Sequence, residues 1–193
     1  MADKRLILLL GGARSGKSTC AEEMAARLSG RVTYVATAGI GDEEMRLRVE
    51  AHRARRPASW RTLEARRHIG TALSEAGSVV DVVLLDCLTL LMSNVLMDTW
   101  FPEMDKTGDL AAPAGEMERE LDLLLAWFEN FSGTLIIVSN EVGLGLVPPY
   151  PMGRAYRDLL GYANRRLAAV ADSVYFLIAG LPVDIKKMSV DHF

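Results

Sequence analysis

Gly11-Gly12-Ala13-Arg14-Ser15-Gly16-Lys17-Ser18 follows the apolar run 6–10 and reads G-x-x-x-x-G-K-[ST]. Glycines at both ends of such a stretch let the backbone turn tightly and aim successive N–H groups inward, which makes a cradle for phosphate. Lys17 is placed to reach the β/γ-phosphates, and the Ser18 hydroxyl to hold a magnesium ion. The flanks agree with this reading, because a buried-strand pattern precedes the loop and a helical pattern over 17–28 follows it. The phosphates would then lie on a helix N-terminus. A strand, a phosphate loop and a helix together predict a P-loop NTPase of the RecA-like α/β kind, with nucleoside triphosphate as a ligand.

The chain has 193 residues, half of them hydrophobic, which suits one well-buried core and a single domain over 1–193. A formal net charge of −3 gives no overall electrostatic reason to bind nucleic acid or an anionic membrane. The run 6–10 is much shorter than a membrane span or the apolar part of a secretory leader, so a cytoplasmic enzyme without a membrane span is expected. Cys20 and Cys87 stand far apart, with no C-x-x-C or Cys/His cluster, and read as buried thiols rather than a disulfide or zinc site.

Further apolar, β-rich runs at 32–36, 79–85, 134–139 and 174–178 alternate with helical stretches. Continuous apolar runs suit strands covered on both faces, so a mainly parallel sheet between helical layers is expected. Towards the C-terminus, 179–182 reads as a turn and 183–185 as a returning edge strand, with 187–193 as a tail. The stretch 97–115, with Pro102, Gly108 and Pro113, reads as a loop or lid before a helix over 116–131.

Two further places carry chemistry. Val82-Val83-Leu84-Leu85-Asp86 is an apolar run ending in a carboxylate, where P-loop enzymes place the acid that holds magnesium beside the loop hydroxyl. Asp86 is therefore the expected metal partner of Ser18, with a helix N-cap as the plainer alternative. His52 shares a helical spacing with Met45 and Val49, and Arg53, Arg55 and Arg56 follow it directly. Such a histidine is ordinarily a satisfied residue at a helix margin. Among guanidinium groups suited to phosphate, a neutral imidazole is also able to attack a nucleotide α-phosphorus, releasing pyrophosphate and leaving a phosphoramidate.

The run 11–18, then Tyr34-Val35-Ala36-Thr37, Asp42-Glu43-Glu44-Met45 and His52 with Arg56-Pro57-Ala58-Ser59-Trp60-Arg61-Thr62-Leu63-Glu64, closely resembles the adenosylcobinamide kinase and adenosylcobinamide-phosphate guanylyltransferases of cobalamin biosynthesis. Leu84-Leu85-Asp86-Cys87-Leu88-Thr89 matches that family's strand with a terminal acid. Asn140-Glu141-Val142-Gly143-Leu144-Gly145-Leu146-Val147-Pro148 matches its N-E-V-G-x-G-x-V-P block, and Arg157-Asp158 with Gly161 and Asn164 its R-D-x-x-G-x-x-N helix. The resemblance runs from about residue 6 to 186 in one order.

It implies two reactions: phosphorylation of the aminopropanol hydroxyl of adenosylcobinamide by ATP or GTP, and transfer of GMP from GTP through a guanylylated histidine to give adenosylcobinamide-GDP. By motif, His52 is the nucleophile, and Gly11, Gly12, Ala13, Arg14, Ser15, Gly16, Lys17, Ser18, Thr37, Ala38, Gly39, Arg53, Ala54, Arg55, Arg56, Glu64 and Asp86 are nucleotide-contacting positions. Lys17 assists phosphoryl transfer, Ser18 and Asp86 hold Mg²⁺, and Glu64 is suited to bind guanine through N1–H and the exocyclic amine. The resemblance also implies a homotrimer. Asp86 stands where relatives carry Glu, one methylene longer, and Ala38-Gly39 leave contacts there to the backbone. A P-loop kinase without guanylyl transfer and an NTP-dependent switch remain the alternatives, and His52 separates the first of them from the bifunctional reading.

Overall fold

The computed structural model describes residues 3–38, 56–77, 80–101 and 104–190. Their strands form one seven-stranded sheet. In chain order the elements are β1 (Arg5–Gly11), α1 (Lys17–Leu28), β2 (Val32–Ala36), β3 (Arg61–Glu64), α2 (Ile69–Ala76), β4 (Val82–Asp86), α3 (Leu88–Thr99), α4 (Met104–Thr107), α5 (Ala111–Glu129), β5 (Thr134–Val138), α6 (Pro151–Val170), β6 (Ser173–Ile178), β7 (Leu181–Asp184) and α7 (Ile185–Met188). The sheet order is β3-β2-β4-β5-β1-β6-β7, parallel throughout except for β7, which runs antiparallel to β6.

The continuous apolar strands have the physical basis expected of them, since the pleat sends alternate side chains into different layers. Leu6, Leu8 and Leu10 join Val83, Leu85, Leu135 and Ile137 in a core beneath the helical layer that includes α3, α5 and α6. Ile7 and Leu9 join Tyr34, Leu84, Ile136 and Val138 beneath α1, where Ala21 and Ala25 make the close approach. β1 lies between β5 and β6, with Leu8 level with both Ile137 and Val174. The loop that follows β1 is thereby mounted on the middle of the sheet.

The two edges of the sheet differ in chemistry. At the amino edge Asp81 accepts from Ser29 at 2.6 Å and pairs with Arg31, and Asp172 accepts from the Leu6 N–H at 2.7 Å. At the carboxyl edge Gly11, Ala36, Glu64, Asp86 and Val138 end their strands. Open α/β sheets bind ligands at that edge. No helix among the described residues is long and apolar enough to cross a membrane.

Three local expectations are corrected. The stretch 97–115 is largely helical: α3 continues to Thr99, α4 follows, and α5 starts at Ala111 instead of 116 and ends at Glu129 instead of 131. Pro113 is tolerated because the first helical turn has no intrahelical acceptors for its N–H groups, and burial of Pro113 and Met117 outweighs the cost of Gly115. The turn near the C-terminus is confined to Ala179-Gly180. Leu181–Asp184 is the edge strand, one that admits Pro182 because edges leave some donors unused, and Ile185–Met188 forms a helical turn instead of loose tail. Cys20 and Cys87 are half-buried. The short edge strand β3 has no continuous apolar run to announce it, with Arg61, Thr62 and Glu64 in four residues.

Candidate nucleotide site

The phosphate loop depends on three backbone conformations in the left-handed or mirror region: Gly11 at φ 150°, Arg14 at φ 58° and Gly16 at φ 91°. At Gly11 a side chain is excluded twice, since a Cβ would lie 2.6 Å from the Leu177 carbonyl oxygen and 2.8 Å from Ser15 Oγ. Neighbouring backbone holds the loop on both sides. The Glu141 N–H donates to the Gly11 carbonyl at 3.0 Å, and the Gly180 N–H donates to the Ser15 carbonyl at 3.1 Å. α1 then begins at Lys17, so its unpaired N–H groups and positive dipole end face the loop.

Lys17 is folded back over this cradle, only 7 % exposed. Its Nζ donates to the Gly12 carbonyl at 2.6 Å and to Ser15 Oγ at 3.4 Å. Burial lowers its pKa from the ordinary lysine value, against the opposing pull of Cys87 and Asp86. A cation held in a low-dielectric site by carbonyl and hydroxyl oxygens is poised to exchange them for phosphate oxygens.

A cavity of about 530 Å³ opens over the loop. Residues 13–19 form its floor, Asp86 and Asn140 come from the ends of β4 and β5, and Ala36, Ala38 and Arg56 complete a third side. Of the positions expected from sequence, Ala13, Arg14, Ser15, Gly16, Lys17, Ser18, Ala38, Arg56 and Asp86 line this one cavity. Gly11 and Gly12 shape the loop behind it. Thr37 stands behind the wall, fully buried, with its hydroxyl donating to the Cys87 carbonyl at 2.8 Å and accepting from the Cys87 N–H at 2.9 Å. Glu64 ends β3 level with Ala36, exposed at the same sheet edge and outside the cavity lining. Gly39, His52, Arg53, Ala54 and Arg55 lie outside the described residues. The flanks of that stretch, Ala38 and Arg56, both line the cavity.

Asp86 is not the N-cap of α3, a place taken by Cys87 with no side-chain cap. Instead the Asp86 carboxylate faces the cavity and accepts from the Tyr34 hydroxyl at 2.9 Å. Ser18 and Asp86 are both oxygen donors lining this space, the hard set that magnesium takes when substrate phosphates and water complete its shell. Among the described residues no group of three His, Cys, Asp or Glu side chains gathers to hold an ion.

Sequence reasoning gave Tyr34 no role beyond its place in a motif, yet it lines the cavity, with the Arg56 guanidinium 3.7 Å from its ring centre. Its one sequence signal is a phenolic tip in a strand of five, Val32–Ala36, that is otherwise small or β-branched. The N-E-V-G block is largely structural at its start. The Asn140 N–H donates to Thr89 Oγ1 and its carbonyl accepts from Asn164, both at 2.9 Å, while the Glu141 carboxylate accepts from the Gly143 N–H. Arg154 holds the carbonyls of Pro148 and Pro149, and Arg157 pairs with Asp158.

The CobU family model, described as cobinamide kinase / cobinamide phosphate guanyltransferase, matches residues 7–185. The chain belongs to this family. It is 38% identical over 181 residues to the bifunctional adenosylcobalamin biosynthesis protein CobU of Salmonella typhimurium, covering 94% of this chain and 99% of that one. It is 40% identical over 179 residues to the corresponding protein CobP of Pseudomonas aeruginosa, covering 93% and 96%. Among solved structures, an ATPase domain superposes with a TM-score of 0.53 at 14% identity, over 92% of this chain and 70% of that one. That likeness shows the P-loop NTPase fold. The cavity over residues 11–18 thus lies in a chain that has both the P-loop NTPase fold and the cobinamide kinase family's sequence.

Proposed function

We infer that this chain is a cobalamin-biosynthesis enzyme, phosphorylating adenosylcobinamide with ATP or GTP and transferring GMP from GTP to adenosylcobinamide phosphate. The observation that carries the reading is a cavity built from the phosphate loop, Lys17, Asp86 and Arg56 in a chain matched almost end to end by the bifunctional family.

In the kinase step the aminopropanol hydroxyl of the corrinoid attacks the γ-phosphorus and releases its proton to solvent, the bond from that phosphorus to the bridging oxygen breaks, and nucleoside diphosphate leaves. The loose transition state carries charge on oxygens rather than needing covalent help, so loop N–H groups and the Lys17 ammonium do most of the protein's work. Ser18 and Asp86 would hold a magnesium ion, which would supply charge neutralisation to the phosphates.

In the transferase step we propose that the His52 imidazole attacks the GTP α-phosphorus and pyrophosphate leaves. An oxygen of adenosylcobinamide phosphate then takes the GMP from the phosphoramidate, freeing the imidazole and forming the new phosphoanhydride. The cavity position of Ala38 and Arg56, which flank the segment bearing His52, supports this assignment. So does the guanidinium of Arg56, with Arg53 and Arg55 as its sequence neighbours.

We further propose that Thr37, Ala38 and Gly39 steady the nucleotide through backbone, that Glu64 selects guanine, and that one domain over 1–193 performs both reactions in the cytoplasm without nucleic acid. A homotrimer is proposed as the working form. Leu144, Leu146, Val147 and Tyr150, in the segment after β5, are exposed apolar side chains that an assembly would cover. Light scattering tests it, and a monomer at working concentration would refute it.

The deciding experiment is incubation with Mg²⁺ and α-labelled GTP, followed by denaturation and peptide mapping. GMP on His52, acid-labile and alkali-stable, is expected, with the label absent from His52→Ala, which still binds GTP. No adduct in protein shown to bind GTP would leave a P-loop kinase.

A further inference from the structure

Tyr34 is 4 % exposed, on the central residue of β2, beneath the layer of α1. β2 and β4 are in register, Tyr34 beside Leu84 and Ala36 beside Asp86, so the phenol points along the sheet from one residue pair to the next. Its hydroxyl donates to Asp86 Oδ2 at 2.9 Å, and its ring face carries the Arg56 guanidinium at 3.7 Å. One rigid side chain thus touches an acid and a base of the cavity by different parts of itself.

Each contact has a positioning consequence. A carboxylate on a strand end turns about its Cβ–Cγ bond, and a donor fixed on one oxygen sets the plane in which the other presents its lone pairs. The aromatic face holds the Arg56 guanidinium on the cavity wall, where its Nη1 also donates to Thr62 Oγ1 at 3.4 Å.

We propose that Tyr34 is a positioning residue of the nucleotide site: its hydroxyl orients Asp86 for magnesium and its ring seats Arg56 for phosphate, before nucleotide enters. The proposal rests on the reading of Asp86 as the acid that holds magnesium. It adds a residue that acts through two others and makes no bond to the reacting atoms.

The test compares the parent protein with Tyr34→Phe and Tyr34→Leu, using a fluorescent GTP analogue titrated with and without Mg²⁺ and no corrinoid. Tyr34→Phe keeps the ring and removes the hydroxyl. It is expected to raise the Mg²⁺ concentration for half-maximal tightening of nucleotide binding by about tenfold, the scale on which supporting partners of metal ligands act. Metal-free binding should be unchanged. Tyr34→Leu removes the ring as well and should additionally weaken metal-free binding several-fold. Thermal unfolding of all three proteins, with far-UV circular dichroism, separates these effects from loss of fold. An unaltered Mg²⁺ requirement in folded Tyr34→Phe overturns the positioning role alone. A parent protein whose nucleotide binding ignores Mg²⁺ overturns it together with the assignment of Asp86.

Discussion

Lys17 is a buried cation lining the cavity, and its burial makes phosphate binding there sensitive to pH. Phosphate favours the ammonium form, whereas burial in the free protein favours the amine and lowers the pKa. Nucleotide affinity should therefore hold on the acid side and fall as pH rises through the lowered pKa of the free protein, earlier than for an ordinary lysine. Titrating the fluorescent GTP analogue from pH 7 to 10 measures this, with Lys17→Met as the control that loses the transition. The same variant should reduce phosphoryl transfer by about 10²–10³, the usual cost of removing one donor aimed at developing charge. On the proposal that Glu64 selects guanine through N1–H and the exocyclic amine, Glu64→Gln should weaken GTP by about tenfold and leave ATP unchanged in parallel binding titrations. Residue types within the loop were legible from sequence because glycine, lysine and serine at fixed spacing have one obvious joint use. Tyr34 was not, since its partners Asp86 and Arg56 are 52 and 22 positions away, and only the β2/β4 register joins the first to it.

Among elements, the approach of α2 to α5 is the tightest constraint. A Cβ on Gly70 would lie 2.1 Å from the Leu123 carbonyl oxygen, with backbone and not a flexible side chain in the way. Gly70→Ala should cost about 1–3 kcal/mol by forcing the helices apart, measured by urea unfolding. The segment leading into α2 is tied to α5 by charge: Glu120, 1 % exposed, accepts from Arg67 Nε at 2.7 Å and from the His68 N–H at 2.8 Å. Arg67 also reaches Glu116 and Asp98. Removing the central acid with Glu120→Ala leaves backbone donors and a guanidinium without it, a loss of about 3–5 kcal/mol by the usual cost of breaking a buried pair. Element type followed from pattern wherever the apolar run was continuous, and β1, β2 and α1 sit where their sequences put them. The stretch 97–115 did not, because its prolines and glycines are local signals, whereas packing of Pro113 and Met117 against the core is not local.

Across the whole molecule, the cavity opens at the carboxyl edge of the sheet, and the Asp81–Arg31 pair lies at the amino edge. Asp81, at the amino edge, has its pKa held down to about 2 by hydrogen bonds from Arg31 and Ser29. A depressed carboxylate stabilises the fold above its ordinary pKa of 3.8 and loses that contribution as pH falls from there towards 2. Acid unfolding of Asp81→Asn should accordingly show a flatter limb over that interval, with nucleotide affinity at neutral pH untouched because the edges are separate. The contact between Gly180 and the phosphate loop carries a further meaning for biosynthesis. The loop occupies residues 11–18, yet Glu141 and Gly180 hold it, and β1 is flanked by β5 and β6. The cradle is encoded early and completed late during translation. A nascent chain ending at residue 172 would contain every motif named for the nucleotide while lacking β6 and the Gly180 brace, and it should bind none.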